Sequence, residues 1–194
     1  MCQFQHQLNG YLRISLAADK ERTNVIRIVI AEDQEMLLEA IGTLLNLEDD
    51  MEVIGLASDG EEAIRLVQRL KPDVCLMDIE MPIKSGLEAA EILKPLGCKV
   101  IILTTFARQG YWQRALKADV RGYLLKDSPS EELACSIRSI FAGGRIYTHE
   151  LMDERFEQEG METSNDLIPH DKPMLGTVKR YLSTIKEKMK LPTG

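Results

Sequence analysis

The sequence predicts an α/β fold, a doubly wound parallel sheet of five strands followed by an irregular or helical C-terminal tail, and three observations predict it. From Ile26 onward, short apolar runs alternate with longer stretches of helical periodicity, the pattern that places helices on both faces of a parallel sheet. Each run stops at polar or turn-forming residues, so right-handed crossovers must bring the chain back to the same sheet. The chemistry-bearing residues gather where the runs stop: Glu32-Asp33, Asp78, Thr104-Thr105 and Lys126-Asp127. In an open parallel sheet those ends share one crevice, the usual place for a ligand.

The elements follow in order. Ile26 to Ala31 is the first strand, and the helix after Asp33 carries Met36, Leu37, Ala40, Ile41, Leu44 and Leu45 at helical spacing before the charged turn Asn46 to Asp50. Val53 to Ala57 is the second strand, and the next helix follows Gly60 with Ala63, Val67 and Leu70 facing inward. Pro72 and Asp73 punctuate the start of the third strand, Val74 to Met77, and Met81-Pro82 with Gly86 forces a turn before a helix that must stop near Pro95. Val100 to Leu103 is the fourth strand. Its helix, Gly110 to Ala118, turns Ala115 and Leu116 inward and leaves Tyr111 and Trp112 either outward or in ordinary core. Gly122 to Leu125 is the fifth strand. The last helix of the unit starts on Ser128 as N-cap, Pro129 at N1 and Glu131 at N3, buries Leu133, Ile137 and Ile140, and ends at Gly143-Gly144.

Composition narrows the class. A chain of 194 residues with 44% apolar residues holds one good domain plus a smaller one or long tails. The net charge of −7 argues against nucleic-acid binding by the bulk of the molecule, which leaves any basic patch to be found locally. Cys2, Cys75, Cys98 and Cys135 form no C-x-x-C pair, so a reduced, cytoplasmic setting is expected. His6, His149 and His170 lack ligand spacing, and no run approaches the ~20 apolar residues of a membrane span. Residues 1–25 lack the continuous apolar core of a signal peptide and read as a loosely attached N-terminal extension.

Asp78, at the end of a buried strand, admits two readings: a strand-terminal carboxylate that accepts loop hydrogen bonds, or a functional one. The second acidic site, Glu32-Asp33, weighs toward function, because three converging carboxylates repel one another unless a hard divalent cation neutralises them. Few oxygen ligands completed by water suit Mg²⁺ better than a full Ca²⁺ cage. With Thr104 and Lys126 at two more strand ends, the parts needed to accept and hold a phosphoryl group on Asp78 are all present.

Glu32-Asp33, Asp78, Met81-Pro82 with Gly86, Thr104 and Lys126 together resemble the CheY-like receiver domain of bacterial two-component response regulators. Leu103-Thr104-Thr105-Phe106 and the run from Gly122 to Asp127 resemble its NarL/FixJ branch, over roughly residues 26–152. The resemblance implies the strand order 2-1-3-4-5, a sensor histidine kinase as donor, and Mg²⁺ held by Asp33 and Asp78, by Glu32 through water and by the backbone carbonyl of Glu80. It also implies that Lys126 pairs with the phosphoryl group, that Thr104 swings to it and that Tyr123 follows inward as a switch. No enzyme activity is implied beyond Mg²⁺-dependent self-phosphorylation, and the receiver could support a homodimer.

The domains expected are the extension 1–25, a receiver over 26–144, an acidic linker over 145–173 and a remnant of a helix-turn-helix output domain over 174–194. Glu150 to Asp166 holds seven acids against the single Arg155. Beyond it, Val178, Tyr181, Leu182, Ile185 and Met189 make one apolar helical face with Thr177 as N-cap, and Lys179, Arg180 and Lys186 are the candidate DNA contacts. This resembles the recognition helix of LuxR-type output domains, without the scaffold helix such domains use to hold it in the groove. A basic amphipathic tail that docks elsewhere fits the same residues. Three functions therefore stand: a transcription regulator, a stand-alone receiver acting as phosphate sink or dimerising antagonist without DNA binding, and a phosphohydrolase. The last places its nucleophile after the first strand, whereas Asp78 follows the third.

Overall fold

A computed structural model describes residues 25–105, 109–127, 130–147 and 175–190. The elements are β1 (Ile26–Ala31), α1 (Glu35–Leu45), β2 (Met51–Ala57), α2 (Gly60–Leu70), β3 (Val74–Met77), α3 (Gly86–Leu93), a 3-10 turn (Lys94–Leu96), β4 (Lys99–Thr104), α4 (Gln109–Lys117), β5 (Gly122–Leu125), α5 (Ser130–Phe141), β6 (Ile146–Tyr147) and α6 (Leu175–Lys190). All strands pair in parallel, in the order β2-β1-β3-β4-β5-β6.

The doubly wound sheet is as expected, with one strand more than five. Two residues are too few to show periodicity in sequence. Ile146 and Tyr147 pair with Gly122 and Tyr123, and the Tyr147 hydroxyl donates to the Val120 carbonyl at 3.1 Å, so this short strand closes the β5 edge.

Alternation along each strand divides the core into two. Ile28 and Ile30 of β1, Leu76 of β3 and Ile101 and Leu103 of β4 pack with α1 and α5, whereas Val29, Ala31, Cys75, Met77, Val100 and Ile102 pack with α2, α3 and α4. Both faces of these strands are covered, which is why they read as largely apolar runs, with Arg27 and Lys99 near their starts. Two inward assignments are corrected. Met36 is 67% exposed because it sits in the first turn of α1, beyond the sheet edge, and Leu116 is 39% exposed because Ala115 and Ala118 take the inward arc of the turn at the end of α4.

Helix α2 starts on Asp59, whose carboxylate accepts from the Glu61 and Glu62 amides at 2.8 Å each. Ser85 and Glu88 form a full capping box at the start of α3, a Ser-x-x-Glu signature legible in sequence but not singled out there. The expected cap at Ser128 and Pro129 lies outside the described residues, as do the extension 1–24, Phe106 and residues 148–174. The unexpected packing is at the C-terminus. Tyr181 is 1% and Ile185 8% exposed, and both join the core cluster on the α1 and α5 side. Leu182 and Met189, expected on the same face, are exposed. Among the described residues no helix is long and apolar enough to cross a membrane.

Candidate functional site

Glu32, Asp78 and Lys126 are each the first residue past the end of a strand, β1, β3 and β5 respectively. The register explains how they meet. Ala31, Met77, Ile102 and Tyr123 lie level across the sheet, so Asp78 and Glu32 stand one residue above that level and Lys126 three. The long lysine side chain reaches back across the gap: its ammonium lies 2.7 Å from Glu32 Oε2 and 3.0 Å from Asp78 Oδ2. Thr104, the last residue of β4, is buried beside it, and its carbonyl accepts from the Lys126 amide at 2.7 Å.

Asp78 is held from both ends. Its amide donates to the Ala31 carbonyl at 2.9 Å, and its Oδ1 accepts from the Ile79 amide at 2.8 Å. Gly86 fixes the floor beneath it: a Cβ built on Gly86 would lie 1.8 Å from the Asp78 carbonyl oxygen, a contact no side chain tolerates. The glycine marked as a turn former in the sequence is therefore required for close approach, and its amide secures the loop by donating to the Ile79 carbonyl at 3.0 Å. Between them, Ile83 takes φ 64°, an unusual conformation for a β-branched residue, in the tight connection that aims the first turn of α3 at the site.

The electrostatics are those of an over-filled acidic pocket. Burial pushes the Glu32 carboxyl up to about 7, against the opposing pull of Lys126, and Asp78 and Asp33 push it in the same direction as burial. Burial also raises Asp78, again with Lys126 opposing. Among the described residues, the Lys126 ammonium contacts two of three converging carboxylates, which leaves an excess of negative charge. Carboxylate oxygens of Glu32, Asp33 and Asp78 all lie within 4.8 Å of one another, with Asp33 exposed and the other two buried. An all-oxygen, incomplete ligand set beside open solvent fits a hard cation that keeps several of its waters.

The structure brings Glu32, Asp33, Asp78, Thr104 and Lys126 to one crevice. Glu80 lies next to it on the loop after β3; its exposed side chain is met by the Tyr111 hydroxyl at 3.5 Å, a contact sequence reasoning did not foresee. Tyr123, implied to be a moving switch, is already completely buried, edge-on to Trp112 with centroids 6.1 Å apart. Trp112 in turn packs edge-on against Tyr147 at 4.8 Å. Of the candidate DNA contacts, Lys179, Arg180 and Lys186 are all exposed on α6, but Arg180 is engaged with the receiver-like unit, donating to the Asp127 carbonyl.

Residues 28–138 match the model of the response regulator receiver domain. Over 187 aligned residues the chain is 53% identical to the transcriptional regulatory protein DesR of Bacillus subtilis, covering 86% of this chain and 92% of that one. A solved LuxR-family two-component response regulator from Aurantimonas sp. SI85-9A1 superposes with TM-score 0.64 at 27% identity, covering 70% of this chain and 98% of the other. A LuxR-family DNA-binding response regulator from Staphylococcus aureus gives TM-score 0.58 at 39% identity, covering 60% and 99%.

Proposed function

The chain belongs to the response regulators, and from that premise we propose that Asp78 is the phosphoacceptor through which a sensor histidine kinase controls it. It is a transcription regulator of a two-component system, as the receiver match and the 53% identity to DesR support. The observation that carries the residue assignment is the Lys126 ammonium lying between Glu32 and Asp78 at a crevice whose carboxylate oxygens converge.

In the reaction a carboxylate oxygen of Asp78 attacks the phosphorus of a phosphohistidine. The new O–P bond forms as the N–P bond breaks, and the bond electrons return to the imidazole of the kinase. Asp78 is presented for this by the Ile79 amide, which fixes one oxygen, and by Gly86, whose bare Cα lets the loop close beneath it. Lys126 moves from the carboxylate it now pairs with to an oxygen of the phosphoryl group, a short path at 3.0 Å. Thr104 supplies a hydroxyl at the neighbouring strand end, and Tyr123, below it on β5, passes the change toward α4. Asp33 and Asp78, with Glu32 through water and the Glu80 carbonyl, would hold Mg²⁺, which would supply neutralising charge to the transferring phosphoryl group. The protein acts in the cytoplasm, with a homodimer through the receiver and DNA contacts from Lys179, Arg180 and Lys186 as further parts of the reading.

A second reading, a receiver that acts without binding DNA, is favoured by one observation: Tyr181 and Ile185 spend the apolar face of α6 on the receiver core. The test of the main assignment is labelling with a small acyl phosphate and Mg²⁺. One acid-stable, base-labile phosphoryl group per chain is expected, and equal labelling of Asp78→Asn would overturn the assignment.

A further inference from the structure

Helix α6 lies along α1 in the same sense. Near its start Arg180 and Tyr181 reach the loop after β5: Arg180 donates to the Asp127 carbonyl, and the Tyr181 hydroxyl donates to the Lys126 carbonyl at 3.2 Å. Midway, Leu182 and Ile185 share with Met36, Glu39, Ala40 and Thr43 of α1 a hollow of about 220 Å³. Near its end Lys188 pairs with Glu48, past the last turn of α1, and Glu48 also accepts from Arg138 of α5 at 2.7 Å. The helix therefore runs from the crevice edge to the opposite edge of the sheet. Because it begins at Leu175, its residues before Arg180 carry it about 7 Å beyond the Lys126 and Asp127 carbonyls at helical rise.

Donors of different size meet the site differently. Asp78 is 6% exposed, so a small acyl phosphate needs only the crevice. A protein carrying phosphohistidine needs contact area as well, on the order of 800 Å² per partner in a standard interface. That area must come from the loops around Asp78 and the helix faces beside them, and α6 lies on the loop after β5 and along one face of α1, with Met36 in the first turn of α1 left exposed. We propose that α6 is a gate selective for donor size: docked, it occupies the surface a phosphohistidine-bearing protein must use, while leaving the crevice open to small acyl phosphates. The partner that fits the vacated surface presents an amphipathic helix beside its phosphohistidine, since such a helix, with an aromatic and an aliphatic residue turned inward, fills it now. Being part of the same chain, α6 competes as an intramolecular ligand. The proposal rests on Asp78 being the phosphoacceptor.

The test compares three full-length proteins, all with Cys2 and Cys135 changed to Ser. One has no further change. One is loosened by Tyr181→Phe with Lys188→Glu, which keeps the buried ring but removes the hydrogen bond to Lys126 and reverses the pairing with Glu48. One carries Met36→Cys and Leu182→Cys, joined by a short bis-maleimide that pins α6 to α1. Each is phosphorylated with acetyl phosphate and, separately, with a phosphohistidine-charged histidine kinase core chosen because it labels the loosened chain. Acetyl phosphate should label all three at the same rate. The kinase core should label the loosened chain about fivefold or more faster than the unlocked parent, the change expected for one lost hydrogen bond of ordinary strength, and should fail on the pinned chain. Equal kinase rates in loosened and pinned chains would overturn the gate, and so would an equal slowing of both donors in the pinned chain. Labelling of Asp78→Asn by acetyl phosphate marks the separate failure of the phosphoacceptor assignment.

Discussion

Replacing Lys126 with Met removes the cation that, among the described residues, pairs with the acidic crevice, while keeping most of the side chain's bulk. The ammonium is 1% exposed and contacts both Glu32 and Asp78, and removing one partner of such a buried pair costs about 3–5 kcal/mol. For a chain of this length that lowers Tm by roughly 10–15 °C. The pH dependence is the sharper signature. Glu32 already sits at about 7 against an ordinary 4.5. The folded state therefore binds more protons than the unfolded one between those values, and wild-type stability falls as pH rises through that window, by about 3 kcal/mol from this group alone. Without Lys126, which opposes the rise at both carboxyls, both are pushed further up, so the variant should lie closest to wild type at the acid end of the range. Above pH 7 wild-type Glu32 is ionised beside a lysine, and the variant has no such partner, so the gap should widen toward pH 8. Urea unfolding with a chelator present, from pH 5.5 to 8, measures this. A gap that stays constant with pH, or is below about 1 kcal/mol at pH 8, would refute the account of the crevice as an over-filled acidic pocket held by one lysine.

The remaining expectations concern the floor of the site and its cation. Gly86→Ala forces a Cβ to within 1.8 Å of the Asp78 carbonyl, so the loop must move; a loss of about 2–3 kcal/mol in denaturant unfolding and slower labelling by acyl phosphate are expected, as for overpacked sites in general. Asp33→Ala removes the exposed member of the carboxylate group and should abolish Mg²⁺ binding in calorimetric titration while leaving the fold intact, whereas unchanged affinity would place the cation elsewhere.

The strands were legible because both faces are covered, which makes β3 apolar throughout and β1 and β4 apolar apart from Arg27, Lys99 and Thr104, while their order was what the receiver resemblance implied. The charged strand ends were legible for the complementary reason that a run so apolar stops visibly at Glu32, Asp78 and Lys126. What sequence did not disclose was distance. Nothing in the chain says that β5 overshoots β3, so that Lys126 reaches Glu32 and Asp78 together, or that Gly86 is pressed against a carbonyl rather than merely turning the chain. Met36 and Leu116 obey helical spacing yet lie outside, because periodicity gives the direction of a side chain but not where the neighbouring element ends. The Tyr181 face was visible as a stripe, but a stripe does not name what covers it.

That covering bears on how the regulator can act. An isolated helix of this length is marginal in water, and α6 gains its order by burying Tyr181 and Ile185 against α1 and the sheet. In this arrangement only the outward side, with Lys179 and Lys186, is free to meet a phosphate backbone, and charge of that kind gives salt-sensitive association without base readout. Residues 170–194 carry six Lys or Arg against two acids, so the segment has the charge for such contact but not, by itself, the means of holding a helix in a groove. Freeing α6 would expose its aromatic face and leave the Lys126 carbonyl without the Tyr181 hydroxyl. A partner that takes the place of the helix must cover the same apolar face of α1 and the sheet, so helix and partner exclude one another.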